Sequence, residues 1–174
     1  ISVVDGQLRM DTDDGVYSLN EATLHQDLLD ASAVTLQFDH LGANDENHAA
    51  PAQFAGHADV DGVFFSADGL TWYRLADLSA GDSSSFTGRK YDLDAAIAAA
   101  GISYSSDFQI RFQQYDNYSW PHDGRAFDNI LLATGQSENL AFFGSDVFGY
   151  DLVTAEEFPI AVEDFSSRLI GVDA

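Results

Sequence analysis

The chain predicts an all-β fold, an antiparallel β-sandwich of two sheets with one short helix, and three observations carry that expectation. Apolar and polar residues alternate over several short stretches, most clearly in Phe108-Gln109-Ile110-Arg111-Phe112, and a period of two is what a strand buried on one face requires. Such stretches recur at roughly 8 to 12 residue intervals with turn residues between them, the rhythm of a sandwich rather than of alternating strands and helices. Aromatic residues make up 13% of the chain, and aromatic and β-branched side chains suit a half-buried pleated surface.

Taken in order, Ile1 to Met10 reads as two short strands about Asp5-Gly6, a dipeptide that tolerates the positive φ of a tight hairpin. Asp11 to Gly15 is a polar loop. Ser18 to Asp27 and Ser32 to Leu41 alternate as sandwich strands, the second placing Val34, Leu36 and Phe38 on one face. Gly42 to Gly62 is a long insertion without periodicity, rich in Ala, His and acid; a connection of that length inside a compact domain is functional or mobile rather than filler. Gly62-Val63-Phe64-Phe65-Ser66 and Thr71-Trp72-Tyr73-Arg74-Leu75 form a hairpin about Ala67-Asp68-Gly69-Leu70. A flexible Ser79 to Ser85 loop and a strand from Phe86 to Leu93 follow.

Asp94 to Ala100 is the one helix: Asp92 or Asp94 can accept from the free first-turn amides, alanines propagate it and Gly101 stops it. Two strands then flank a loop crowded with Asp, Asn, His, Tyr and Trp between Asp107 and Leu132. Residues 1–135 thus read as one sandwich. Residues 136–174 read as a C-terminal extension, packed on the same domain or supplying it with a strand.

With 174 residues and 45% hydrophobic content, the chain can bury one substantial core. No apolar run reaches the roughly 20 residues of a spanning helix, so membrane insertion is not expected. A start at Ile1, with neither methionine nor a basic segment, reads as a processed chain or an excised fragment. The net charge is −22, from 29 acidic residues against 7 basic ones, which speaks against nucleic acid, whose phosphates need a basic face. A solvated surface, cation sites, or attraction of basic ligands would each account for the acidity. Having no cysteine, the chain has no disulfide, thiolate metal site or cysteine nucleophile.

The stretches SLNEATL, AVTLQFDHLGA, DGVFFSADGLTWYRL and KYDLDAAIAAAGISYSSDFQIRFQQYDNYSWPHDGRAFDNILL resemble, in that order, the MAM-like, concanavalin-A-like jelly-roll modules of large secreted and surface proteins of bacteria. The resemblance spans about Gly6 to Ala133, and its most specific pieces are DGVFFSADGLTWYRL and the pair FQIRFQQYDN with DGRAFDNI. It implies two sheets packed face to face, a secreted or cell-surface location, neighbouring modules in a larger chain, and a role in adhesion, carbohydrate binding or spacing. Family members open with an Asp-Phe-Glu type strand that is lacking here. Ala161-Val162-Glu163-Asp164-Phe165-Ser166-Ser167 resembles it, which implies that this late segment fills the missing place or begins another module.

Two chemistries are written into the Asp107 to Leu132 stretch. Calcium wants six to eight oxygens, and Asp116, Asn117, Asp123, Asp128 and Asn129 supply five such side chains within 14 positions. The resemblance points to Asp128 in particular, with Asn129 replacing the family's second Asp, so Asp116, Asp123, Asp128 and Asn129 are the expected metal ligands. Carbohydrate wants an aromatic platform beside amides and carboxylates, and Tyr115, Asn117, Tyr118, Trp120, His122 and Asp123 provide both. Solvated acids and a hydrophobic lid over the sandwich end are the plain alternatives. Of the neighbours Trp72 and Tyr73, one belongs in the core, because adjacent strand residues face opposite ways.

Other chemistries leave fainter marks. His40, His48 and His57 lie near Asp45, Glu46, Asp59 and Asp61 but at spacings that match no compact zinc motif. Arg111, Gln113 and Tyr115 alternate along one strand as a lyase groove would need, and as any solvent-facing strand does. No Glu-x-Asp-x-x-Glu pattern, Gly-x-Ser-x-Gly elbow or phosphate loop is present. The expectation is therefore a non-catalytic, calcium-stabilised module that binds carbohydrate or a cell-surface glycan. A structural spacer and a polysaccharide-active enzyme are the alternatives.

Overall fold

Local chemistry sets the turns and the helix ends that can be traced in the computed structural model. The structure describes residues 1–10, 17–43, 46–79, 83, 85–117 and 124–135, together with the backbone of four later strands. Asp5 and Gly6, both at positive φ (52° and 77°), turn β1 (Ser2–Val4) into β2 (Gln7–Met10), the conformation that an Asp-Gly hairpin supplies with little strain. β3 (Ser18–Gln26), β4 (Thr35–Gly42), β5 (Gln53–Ala55), β6 (Gly62–Ser66), β7 (Thr71–Asp77) and β8 (Thr87–Asp92) follow. In the β6–β7 turn, Asp68 accepts from the amides of Leu70 and Thr71 at 2.8 Å.

The helix α1 (Leu93–Ala100) is capped by Asp92, whose carboxylate accepts from the Ala95 amide at 3.0 Å, and it ends on Gly101 at φ 69°. Asp94 is turned elsewhere: it accepts from the Ala33 and Val34 amides and from the Tyr104 hydroxyl, fastening the helix to the start of β4. Partial burial pushes the Asp94 carboxyl up, but these three bonds outweigh it and hold it below its ordinary range. β9 (Phe108–Asp116) and β10 (Arg125–Ala133) come next, then β11 (Asn139–Phe143), β12 (Phe148–Tyr150), β13 (Glu157–Pro159) and β14 (Phe165–Leu169).

The first sheet runs β1-β2-β10-β4-β8, with β11 also on β10; the second runs β14-β3-β9-β6-β7-β5; β12 and β13 pair with each other. Every pairing is antiparallel, so the architecture is the two-sheet, all-β sandwich that the alternation predicts. β14 lies along the outer edge of β3, with Phe165 opposite Ala22 and Leu169 opposite Ser18.

Between the sheets lies a core in which Leu36, Phe38, Phe127, Ile130 and Leu132 of the first sheet meet Ala22, Leu24, Val63, Phe65, Phe108, Ile110 and Phe112 of the second. Phe38, Phe112 and Phe127 meet edge to face, with centroids 4.9 to 5.9 Å apart, the arrangement that aromatic quadrupoles favour.

One element departs from expectation. Residues 46–61 of the insertion after Gly42 supply the edge strand β5 (Gln53–Ala55) and lie against the second sheet. Their Ala50, Phe54, Ala58 and Val60 pack with Phe64 and Trp72 into a second cluster on the outer face of the second sheet. Trp72 and Tyr73 divide as alternation requires, but each finds a core: Trp72 in this outer cluster, Tyr73 stacked on Phe65 between the sheets.

Candidate functional site

Along β9, odd-numbered residues point away from the sandwich interior and even-numbered ones into it, and this period divides the candidate chemistry. Arg111, Gln113 and Tyr115 lie on the outer face beneath residues 46–61. The Arg111 guanidinium sits 3.6 Å over the Trp72 ring, and its Nη1 donates to Glu21 at 2.9 Å and to the Gly56 carbonyl at 3.1 Å. Burial lowers the Arg111 pKa and the Glu21 carboxylate opposes that drop. The other Glu21 oxygen lies 2.8 Å from His57 Nδ1. Gln113 donates to the Ala58 and Val60 carbonyls at 2.6 and 3.0 Å, and Arg74 donates to the Ala50 carbonyl. The side chains that would line a lyase groove are thus consumed in fastening the chain's own insertion over that face.

At the Asp116 end of the sandwich the interior turns polar. Ser18, Asn20, Gln114 and Asp116 of the second sheet and His40 and Arg125 of the first are all buried, and Asn20 donates to Gln114 at 2.8 Å. Asp61, fully buried, accepts from the Tyr115 amide at 2.9 Å, the His48 amide at 3.1 Å and Arg125 at 3.3 Å. Burial raises its pKa, with Arg125 and the two amides pulling the other way. Burial, reinforced by Arg125 and Arg89, lowers the pKa of His40 to about 4, so the ring is neutral and its Nε2 faces Arg125 at 3.5 Å as an acceptor. The His48 ring stands edge-on to Tyr115 at 4.8 Å. His40, His48 and His57 therefore have separate partners, and no group of three or more His, Asp and Glu converges among the described residues.

The predicted site residues divide accordingly. Tyr115 is half-buried and packed on His48, while Asn117 is exposed at the end of the strand. Tyr118, Trp120, His122 and Asp123 lie outside the described residues. Asp116 points into the second sheet's interior. Asp128 and Asn129 belong to the first sheet, where the pairing of β10 with β4 shifts between Asp128 and Leu131. Asn129 takes φ 49° at this bulge. Its amide donates to Asp128 at 2.7 Å, its side chain donates to Asp39 at 2.7 Å, and Gln7 reaches Asp128 at 3.5 Å. Asp128 and Asn129 are brought together; Asp116, inward on the opposite sheet, does not join them.

A groove of about 420 Å3 runs beside Asn129 across the first sheet's outer face, with Asp39, Gln37, Gly88, Lys90 and Leu131 among its lining. Asp39 and Glu21 went unremarked as site residues in the sequence, although their outward positions in the alternations TLQFDHL and SLNEATL are the signal that could have found them.

No helix among the described residues is long and apolar enough to cross a membrane. No family model, no curated protein and no solved structure matches the chain. Its sandwich architecture is accordingly established by strand pairing and not by kinship.

Proposed function

We propose that this chain is a non-catalytic binding module directed at carbohydrate, of the kind that secreted or cell-surface bacterial proteins use for adhesion. The observation that carries the reading is the state of the two outer faces. One is closed by residues 46–61, which engage Arg111 and Gln113. The other, among the described residues, bears a groove that presents carboxylate, amide and ammonium groups beside an apolar wall, the mixture that recognises a hydroxylated, weakly apolar ligand. The strong negative charge adds solubility and keeps polyanions away.

Calcium enters this proposal in a restricted form. Asp116 and the Asp128–Asn129 pair face in different directions from different sheets, so they do not make one coordination sphere, and an ion would draw on one or the other. A native site raises Tm in proportion to ligand excess over Kd; an unchanged melt on adding calcium to chelated protein removes the ion from the proposal. The function itself is tested on a glycan array probed with the labelled chain, where a discrete set of neutral glycans is the expected result. A blank array overturns the carbohydrate reading, and bond cleavage detected as new reducing or unsaturated ends overturns its non-catalytic part.

A further inference from the structure

We infer that the outer face of the first sheet carries a subsite for one neutral sugar ring, centred on Asp39, Asn129 and Lys90. The inference rests on the carbohydrate reading and adds a location and a ligand class to it.

Period-two alternation and register assemble the groove from three strands. Lys90 of β8 stands opposite Gln37 of β4, and Gln37 opposite Leu131 of β10; one row along, Gly88 stands opposite Asp39 and Asp39 opposite Asp128. The volume of about 420 Å3 lies within the roughly 300–1,000 Å3 common for small-ligand sites. Gly88 leaves the floor open, since a Cβ there would lie 3.3 Å from Asp39 Oδ1.

The polar groups are set before any ligand arrives. The bulge turns Asn129 into the left-handed region, which Asn tolerates better than most side chains, and bulges characteristically re-aim a side chain or end a ladder. Two bonds of 2.7 Å hold it there, its amide on Asp128 and its side-chain nitrogen on Asp39. An ionised carboxylate accepts about four hydrogen bonds, so Asp39 keeps capacity for neighbouring hydroxyls. Lys90, the only lysine in the chain, supplies a donor at the other side, and the half-buried Leu131 offers an apolar wall to a C–H face. Fixing these groups in advance lowers the ordering cost of holding a well-hydrated ligand.

Charge selects the ligand class. With Asp39 and Asp128 opposite one another across the strands and both Arg89 and Lys90 among the groove's lining, acidic and basic groups at the groove balance, so a uronate or sulfated sugar finds no local excess of positive charge to offset repulsion by the −22 of the whole chain. A bound cation is disfavoured by Lys90 itself, and no group of three or more metal-ligating side chains forms among the described residues. A neutral pyranose suits this balanced lining: hydroxyls to Asp39, ring or hydroxyl oxygen to Lys90 and Gln37, and C–H to Leu131.

The test is an amide-resolved NMR titration of the intact chain with the methyl glycosides of glucose, galactose, mannose and N-acetylglucosamine, alongside the array. Saturable shifts at Gly88, Lys90 and Asn129 are expected with at least one of them. Gly88→Val and Asp39→Asn are each expected to weaken that Kd at least tenfold with the fold preserved by circular dichroism. Should Gly88→Val fail to fold, Asp39→Asn, which keeps the shape of the carboxylate, decides alone. A positive array with shifts confined to residues 115–124 and abolished by Trp120→Ala overturns the subsite and leaves the carbohydrate reading standing. Binding that is indifferent to Asp39→Asn overturns the subsite as well. A blank array together with no shifts overturns both.

Discussion

Replacing Glu21 with Gln tests the closure of the second sheet more sharply than any deletion. Glu21 and Arg111 are 3% and 8% exposed and meet at 2.9 Å, so the isosteric change removes a charge while opening no cavity. Breaking one partner of a buried pair leaves an uncompensated charge and costs about 3–5 kcal/mol. Arg111 keeps the Gly56 carbonyl and the Trp72 face in both proteins, so those contacts cancel in the comparison. The His57 ring is 51% exposed on its side of the second contact, and a pair so open to water contributes under about 1 kcal/mol. The net loss is about 3–5 kcal/mol, which at about 2–4 °C per kcal/mol for a domain of this size lowers Tm by roughly 6–20 °C. Urea unfolding monitored by tryptophan fluorescence reads the same quantity, and Arg111→Met with the double variant completes a cycle. The double variant should be more stable than the sum of the single losses implies. Glu21→Gln losing less than about 1 kcal/mol, or strictly additive losses, would show that this pair does not fasten residues 46–61 over the sheet.

Three further outcomes follow from the same geometry. The pKa of His40 is lowered to about 4 by burial and two guanidinium groups, so its neutral form favours the folded state; the stability it contributes is complete above the unfolded value of about 6.5 and is lost as pH falls toward 4. The urea midpoint should fall across that window, and His40→Gln, neutral and still able to accept from Arg125, should flatten the fall; an identical fall in the variant assigns it to other groups. Asp92→Ala removes the acceptor for the Ala95 amide and should cost about 0.5–2 kcal/mol in a denaturant titration, a loss near zero meaning that packing alone holds the helix. Asn129→Val forces a β-branched residue into φ 49° and should cost about 1–3 kcal/mol, and an unchanged melting curve would argue that the bulge relaxes without strain.

Much of the fold was legible because its determinants are local. The alternation of Phe108 to Phe112 became β9 facing the core with its even residues, the Asp5–Gly6 turn formed at positive φ, and the helix starts and stops on Asp92 and Gly101. The insertion was illegible for the converse reason: Ala50, Phe54 and Val60 follow no period, and they become a cluster only by meeting Phe64 and Trp72 of other strands. The site was harder still. Glu21 and Arg111 lie 90 positions apart and become neighbours through the β3–β9 pairing, and no spacing rule reaches that far.

Asp116 and Asp128 show the division most plainly. Composition and spacing determined that this stretch is rich in oxygen ligands and that strands flank it. Tertiary structure alone decided that Asp116 points between the sheets while Asp128 and Asn129 stand beside Asp39 on the outer face of the opposite one. A side chain's face is set by strand parity and bulges, and its neighbours by which strand lies alongside; parity is written in the local sequence, whereas the bulge at Asn129 and the pairing across β4 arise only when distant segments share one core.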